Sequence, residues 1–143
     1  MNLNFQEKQI LSCCIFETFE CAGEFLHRIE MTGNMGRVER IPLYQQTLAL
    51  NKSKNYFCIL DNRRGYENTL TLDDMRYFDD MLVEAGIELF YGATVTLDDE
   101  YKKITTLANV NVEVSELAGE LFATSSYQEA EDFIFAHMQK AYP

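Results

Sequence analysis

At 143 residues, 47% hydrophobic and with ten Phe and eight Tyr, the chain is long and apolar enough for one folded domain, which excludes a disordered polymer. Its formal net charge of −11 is concentrated in the second part: residues 1–64 carry eight Lys/Arg against seven Asp/Glu, and residues 65–143 carry four against sixteen. That acidic half repels phosphate, which excludes non-specific partnership with nucleic acid or an anionic membrane.

The first third reads as extended. Residues 9–16 (QILSCCIF) and 24–31 (EFLHRIEM) are rich in β-branched and aromatic side chains, and ETFECAG between them supplies a turn that pivots on Gly23. An antiparallel hairpin is expected. In TGNMGRVERIP, Gly33 and Gly36 free the backbone ahead of a helix that starts near Val38 or Pro42 and ends at Leu50, because proline belongs in a helix's first turn. Ile41, Tyr44 and Leu48 would share its inner face.

Residues 56–60 (YFCIL) form a continuous apolar run, the pattern of a strand buried on both faces. Thr71 is placed to cap the next helix, with Asp73 and Asp74 at its positive end. Met75, Phe78, Leu82 and Ala85 recur at helical spacing, and Gly86 marks the stop. Residues 87–95 (IELFYGATV) read as a strand. Asp98 would cap a short helix aligning Tyr101, Ile104 and Ala108, and NVNVEV is an extended connection. Residues 119–123 make a last short strand. Ser125 followed by Gln128 is a capping-box signature for a closing helix whose inner face is Ala130, Phe133, Ile134, His137 and Ala141.

Strands alternating with amphipathic helices after Met31 imply right-handed crossovers. The expected fold is α/β in a single domain over residues 1–143: a mixed, largely parallel sheet of four to five strands, an N-terminal antiparallel hairpin and about four helices. In YFCILDN as a central strand ending in Asp, in LVEAGIELFYGATV as helix, glycine and strand, and in the ending LFATSSYQEAEDFI, the chain resembles the STAS-like group, the SpoIIAA-like fold of anti-sigma-factor antagonists. The resemblance spans roughly residues 9–138. It implies a bacterial regulatory or adaptor domain that meets a protein partner. The group's phosphoacceptor motif, Asp-Ser-Ser/Thr-Gly, is absent. Its position falls near Leu70 in NTLTLDD, between Thr69 and Thr71, where Asp73 and Asp74 would repel an added phosphate.

Ligand and partner surfaces of open α/β sheets form beyond the carboxyl ends of the parallel strands. The connections there carry Arg37, Arg40, Arg63 and Arg64, with Asp61, Thr69 and Thr71 beside them. Guanidinium groups gathered on that rim would suit a carboxylate or phosphate of a small ligand, or an acidic patch on a protein. The opposing expectation is that they pair with Glu39, Asp61, Glu67 and Asp73 and tie loops down. Phe5, Phe16, Phe19 and Phe25 of the hairpin, with Tyr56 and Phe57, are more aromatics than one sheet face covers, so a homodimer through the N-terminal hairpin is a further expectation.

No catalytic constellation, metal site or cofactor motif is expected. Cys13, Cys14, Cys21 and Cys58 lack CxxC spacing, only His27 and His137 are available as imidazole ligands, and GNMG matches neither a dinucleotide fingerprint nor a P-loop. Free thiols, no leader-like opening and no apolar run of membrane-spanning length make a cytoplasmic protein the expectation. The leading functional expectation is a non-catalytic adaptor binding a protein partner at the rim. The alternative is a sensor or carrier of an apolar or anionic small molecule, because STAS-like folds resemble the CRAL-TRIO lipid-binding layout and the interior is aromatic-rich.

Overall fold

The computed structural model describes residues 1–99 and 117–141. Six strands form one sheet in sequential order, β1 (Asn4–Ile10), β2 (Cys14–Cys21), β3 (Glu24–Met31), β4 (Asn55–Asn62), β5 (Leu89–Thr96) and β6 (Ala118–Thr124). The first three run antiparallel, and β3 to β6 run parallel. Three helices are described: α1 (Arg37–Leu50), α2 (Leu72–Glu84) and α3 (Tyr127–Ala141). The short helix expected after Asp98 and the NVNVEV connection lie outside the described residues.

The N-terminal region is a three-stranded meander rather than one hairpin. The apolar run of residues 9–16 contains a reversal, closed by the Leu11 N–H donating to the Cys14 carbonyl at 2.8 Å. Neither Gly nor Pro marks it, and the polar strand NFQEKQI that precedes it carries no alternation to read. The second reversal is tighter than ETFECAG suggests. Residues 17–21 stay in β2, and only Ala22 (φ 53°) and Gly23 (φ 84°) form the turn. Both φ values are positive, the two-residue geometry that matches the twist of an antiparallel pair.

Sequential parallel strands joined by crossovers of one hand carry their helices to one face, which is where α1 and α2 lie. Leu43 of α1 and Leu82 of α2 join Phe16, Ile29, Tyr56, Cys58 and Phe90 in the core there. The chain passes to the other face after β6, and Ala130, Ile134 and Met138 of α3 bury against Leu26, Phe57, Ile59, Ala93 and Val95. β4 is the shared spine, feeding Tyr56 and Cys58 to one core and Phe57 and Ile59 to the other.

α1 starts at Arg37, with Gly36 as its N-cap and the Glu39 carboxylate accepting the Gly36 N–H at 2.8 Å. Pro42 therefore sits in the second turn rather than at the start. The buried face is Arg40, Leu43 and Thr47, rotated from the expected Ile41, Tyr44 and Leu48. α2 begins as expected, with Thr71 and Asp74 exchanging capping bonds at 3.0 and 3.1 Å. α3 is capped one residue later than expected, by Ser126 accepting the Glu129 N–H at 3.2 Å.

Of the hairpin aromatics, Phe16 and Phe25 are buried with Tyr56 and Phe57, and Phe19 is half-buried. Phe5 alone of that set stands out, 57% exposed on the edge strand β1. β1 also carries Lys8 and a register break between Phe5 and Glu7, features that discourage another strand from adding to the edge.

Candidate functional site

The rim arginines divide between the two faces of the sheet. Arg63 and Arg64 follow β4 directly and fold back on neighbouring carboxylates, for Glu30 and Asp61 are register partners on β3 and β4. Arg63 grips Asp61 through Nε at 3.0 Å and Nη2 at 2.7 Å, and its guanidinium lies 5.0 Å from the Tyr127 ring centroid at the start of α3. Arg64 reaches Glu30 at 2.9 Å. Burial works against ionisation of Asp61, but the Arg63 bonds outweigh it and hold the carboxyl below its usual range. Beside them Arg28 donates to the Tyr127 hydroxyl at 2.9 Å and pairs with Glu131 at 3.1 Å.

Arg37 and Arg40 belong to the α1/α2 face. Arg37 Nε donates to Asp74 Oδ1 at 2.6 Å and its guanidinium stands 4.9 Å from the Tyr77 ring centroid. The Thr71 N–H, ahead of that guanidinium, holds the Asp74 carboxyl below its usual range. The Thr71 hydroxyl is engaged by the Asp74 N–H, and the Thr69 N–H donates to the Met35 carbonyl at 2.9 Å. The structure thus brings Arg37, Arg40, Thr69 and Thr71 together, and Arg63 and Arg64 with Asp61, as two groups rather than one. Arg37, Arg63 and Arg64 are already neutralised by carboxylates of the same chain. The Arg63–Asp61 pair is one the sequence offered, but charge spacing could not reveal the other two, because their partners Glu30 and Asp74 come from other elements.

Arg40 is different. It is 5% exposed, and its Nη1 donates to the carbonyls of Met35 at 3.1 Å and Thr69 at 3.2 Å. Its Nη2 is buried without a hydrogen-bond partner, and among the described residues no carboxylate lies within ion-pair distance of it. The other buried side-chain atoms lacking a partner, among the described residues, are Oδ1 and Nδ2 of Asn68. Both residues border one short parallel bridge, in which Met35 pairs with Asn68 and the Met35 N–H donates to the Glu67 carbonyl at 2.9 Å. Arg40 is not an accessible rim cation, because its burial follows from the helix starting at Arg37, which places position 40 on the face that carries Leu43 and Thr47.

Arg40 also lines a partly open pocket of about 100 Å³ between α1, α2 and the sheet. Ile29, Leu43, Cys58, Phe78, Leu82, Phe90 and Leu121 supply most of its wall, with Leu70 and Met75 toward the rim and Asp79 and Thr94 among the polar contributors. Gly92 opens space on the sheet side, since a Cβ there would meet Leu121 Cδ2 and Phe90 Cε1 at 3.0 Å and Cys58 Sγ at 3.3 Å. Sequence reasoning missed this site. The signal was the i, i+3, i+7 spacing of Arg40, Leu43 and Thr47, which places a cation on an inner face.

Cys14, Cys58, His27 and His137 sit where burial disfavours their charged forms. Burial, then the neighbouring Cys13, pushes the Cys14 thiol up to about 11, and burial pushes Cys58 up to about 12, so neither supplies a thiolate near neutral pH. His27 is fully buried and burial lowers it to about 4. The Asn51 amide nitrogen donates to the Ser53 and Asn55 carbonyls at 2.9 Å, which leaves Asn51 Oδ1 to accept His27 Nε2–H at 2.9 Å. His27 Nδ1 is then the acceptor for the Thr18 hydroxyl at 2.8 Å. His137 stacks on Tyr91 with ring centroids 3.9 Å apart, and burial lowers it too. Among the described residues no group of three or more His, Cys, Asp or Glu is arranged to hold a metal ion.

A crystal structure of an uncharacterised DUF3478-family protein with a SpoIIAA-like fold, from Shewanella loihica PV-4, matches 90% of this chain and 99% of its own, at 14% identity and a TM-score of 0.52. The fold is SpoIIAA-like. At that identity the likeness speaks to architecture and leaves function to the site itself. No protein-family model matches the chain, and no curated protein matches it. Among the described residues no helix is long and apolar enough to cross a membrane.

Proposed function

We propose that this SpoIIAA-like chain is a non-catalytic binding domain, a sensor or carrier that takes a small, mainly apolar molecule into the cavity between α1, α2 and the sheet. The cavity of about 100 Å³ with Arg40 in its wall is the observation that carries this reading. A void lined by Leu, Ile and Phe side chains leaves those atoms without contacts and favours an apolar guest over water. It is smaller than the roughly 150 Å³ cavity that takes up benzene, so the guest is small. Free thiols at all four cysteines fit action in the cytoplasm. Native mass spectrometry of freshly purified protein, followed by xenon titration monitored by amide chemical shifts, tests the reading. A retained small molecule, or xenon shifts clustered at Cys58, Phe90 and Leu121, supports it; a bare mass with no xenon response removes it.

A second reading is favoured by a separate observation. Val38 is 74% exposed, Leu72 47% and Tyr77 38%, all near the N-terminal ends of α1 and α2. Apolar side chains on that rim suit a regulatory adaptor that meets a protein partner there. Pull-down from a bacterial lysate with wild type and a Val38→Ser/Leu72→Ser variant separates the readings. A partner retained by both proteins, or by neither, speaks against the rim as its contact.

A further inference from the structure

The sites that hold arginine in this chain differ in one respect. Of the six arginines, Arg28, Arg37, Arg63 and Arg64 each meet a carboxylate and Arg76 is exposed, while Arg40, the most buried, meets only backbone carbonyls and keeps Nη2 unpaired. A guanidinium is always charged, so burial cannot be relieved by losing its proton. A buried cation without a counter-ion is costly, and a carboxylate that reaches it gains a charge-assisted bond in a low-dielectric setting. The remaining wall near it does not supply that carboxylate. Glu39 is committed to the Gly36 N–H, and Asp74 to Arg37 and Thr71.

We propose that the guest of the pocket is a small monocarboxylate, its short apolar end against Leu82, Phe90 and Leu121 and its carboxylate drawn to the Arg40 guanidinium. This deepens the small-molecule reading and rests on it. By proportion with benzene in its roughly 150 Å³ void, a pocket of about 100 Å³ holds a guest of about four non-hydrogen atoms. The Arg40 guanidinium favours an anion over a neutral or basic guest of similar size, so the sign of the preferred guest is a sharp test.

Acetate, acetamide and ethylamine have about four non-hydrogen atoms or fewer and differ in charge. Titrating each into the 15N-labelled protein at pH 7, with xenon as a charge-free probe, gives dissociation constants and the amides that respond. Acetate binding at least tenfold tighter than acetamide, with shifts at Met35, Arg40 and Thr69 besides those at the pocket wall, is the expected result. Arg40→Met should reduce that ratio to about one. Because Arg40 also holds the Met35 and Thr69 carbonyls, Gly92→Ala serves as the second variant: its added methyl intrudes on the cavity without touching Arg40 and should weaken all guests alike. Equal binding of acid and amide, or tighter binding of the amine, overturns the carboxylate while leaving the cavity as a binding site. No response to any probe, xenon included, overturns both.

Discussion

The two faces of the sheet are covered by helices in contrasting ways. α3 lies close, with Cα atoms within 8 Å of β4, β5 and β6, over small or flat positions such as Ala93 and Ala130. α1 and α2 make few approaches that close, held off by Tyr56, Phe90, Tyr44 and Phe78, whose rings stand 4.9 to 6.0 Å apart in successive pairs. Rings are rigid and do not collapse into gaps, so an apolar pocket remains beneath α1 and α2. The same difference separates their polar groups. On the α3 face Arg28, Arg63 and Arg64 sit near solvent in ion pairs, whereas the α1/α2 face buries Arg40, His27 and Thr47. A face that closes tightly serves stability, and a face that closes loosely over a cation is the one suited to a guest.

The largest expected effect probes the tight face. Ile134→Ala should cost about 2–5 kcal/mol in urea unfolding, because the fully buried side chain leaves a hole that close packing cannot heal. Gly92→Ala on the loose face should change stability by no more than about 1 kcal/mol, since Leu121 and Phe90 have a void to move into. Equal costs for the two would break the comparison.

Protonation of His27 comes next. Its folded value of about 4 lies below the ordinary 6.5, so between those values the unfolded chain binds the extra proton and stability falls as pH falls. The loss should approach about 3 kcal/mol from pH 6.5 down to pH 4, and be absent above 6.5. Urea midpoints measured across that range should flatten in His27→Gln, leaving a shallower slope from His137, which is shifted in the same direction. Asp61 and Asp74 act lower still: their depressed folded values give stability that is present above the ordinary 3.8 and lost as pH drops through them.

Thr71→Ala should cost about 1 kcal/mol through the lost α2 cap, read as a lower thermal midpoint. The smallest effect belongs to the exposed pairs. Arg63→Ala with Arg64→Ala should cost under about 1 kcal/mol for each pair and less in high salt, since both side chains are more than half exposed. A larger loss would give the α3 face an electrostatic role that its solvent exposure argues against.

Much of the architecture was legible in one dimension. The 24–31 strand, the apolar YFCIL run, the Thr71 cap and the helix–glycine–strand order each depend on neighbours in the chain, and the structure keeps them. The reversal at residues 11–13 was hidden, because three residues without Gly or Pro closed it inside an apolar run. The start of α1 was legible to within one residue, near Val38 against the observed Arg37, while the alternative at Pro42 falls in the second turn. The rim was sought as one cluster and is split in two; Arg63 pairs with Asp61 as the opposing expectation had it, whereas Glu30 lies 34 positions from Arg64 and Asp74 37 from Arg37, too far for charge spacing to read.

The sequence by itself determined the alternation of strands and helices, and with it a sheet flanked on both sides, because periodicity and caps act over a few residues. Only the tertiary structure decided which arginine would be buried and left unpaired, and that a void would lie beside it. Those outcomes depend on how far aromatic rings prop two helices from a sheet, a distance set jointly by residues from α1, α2, β4 and β5.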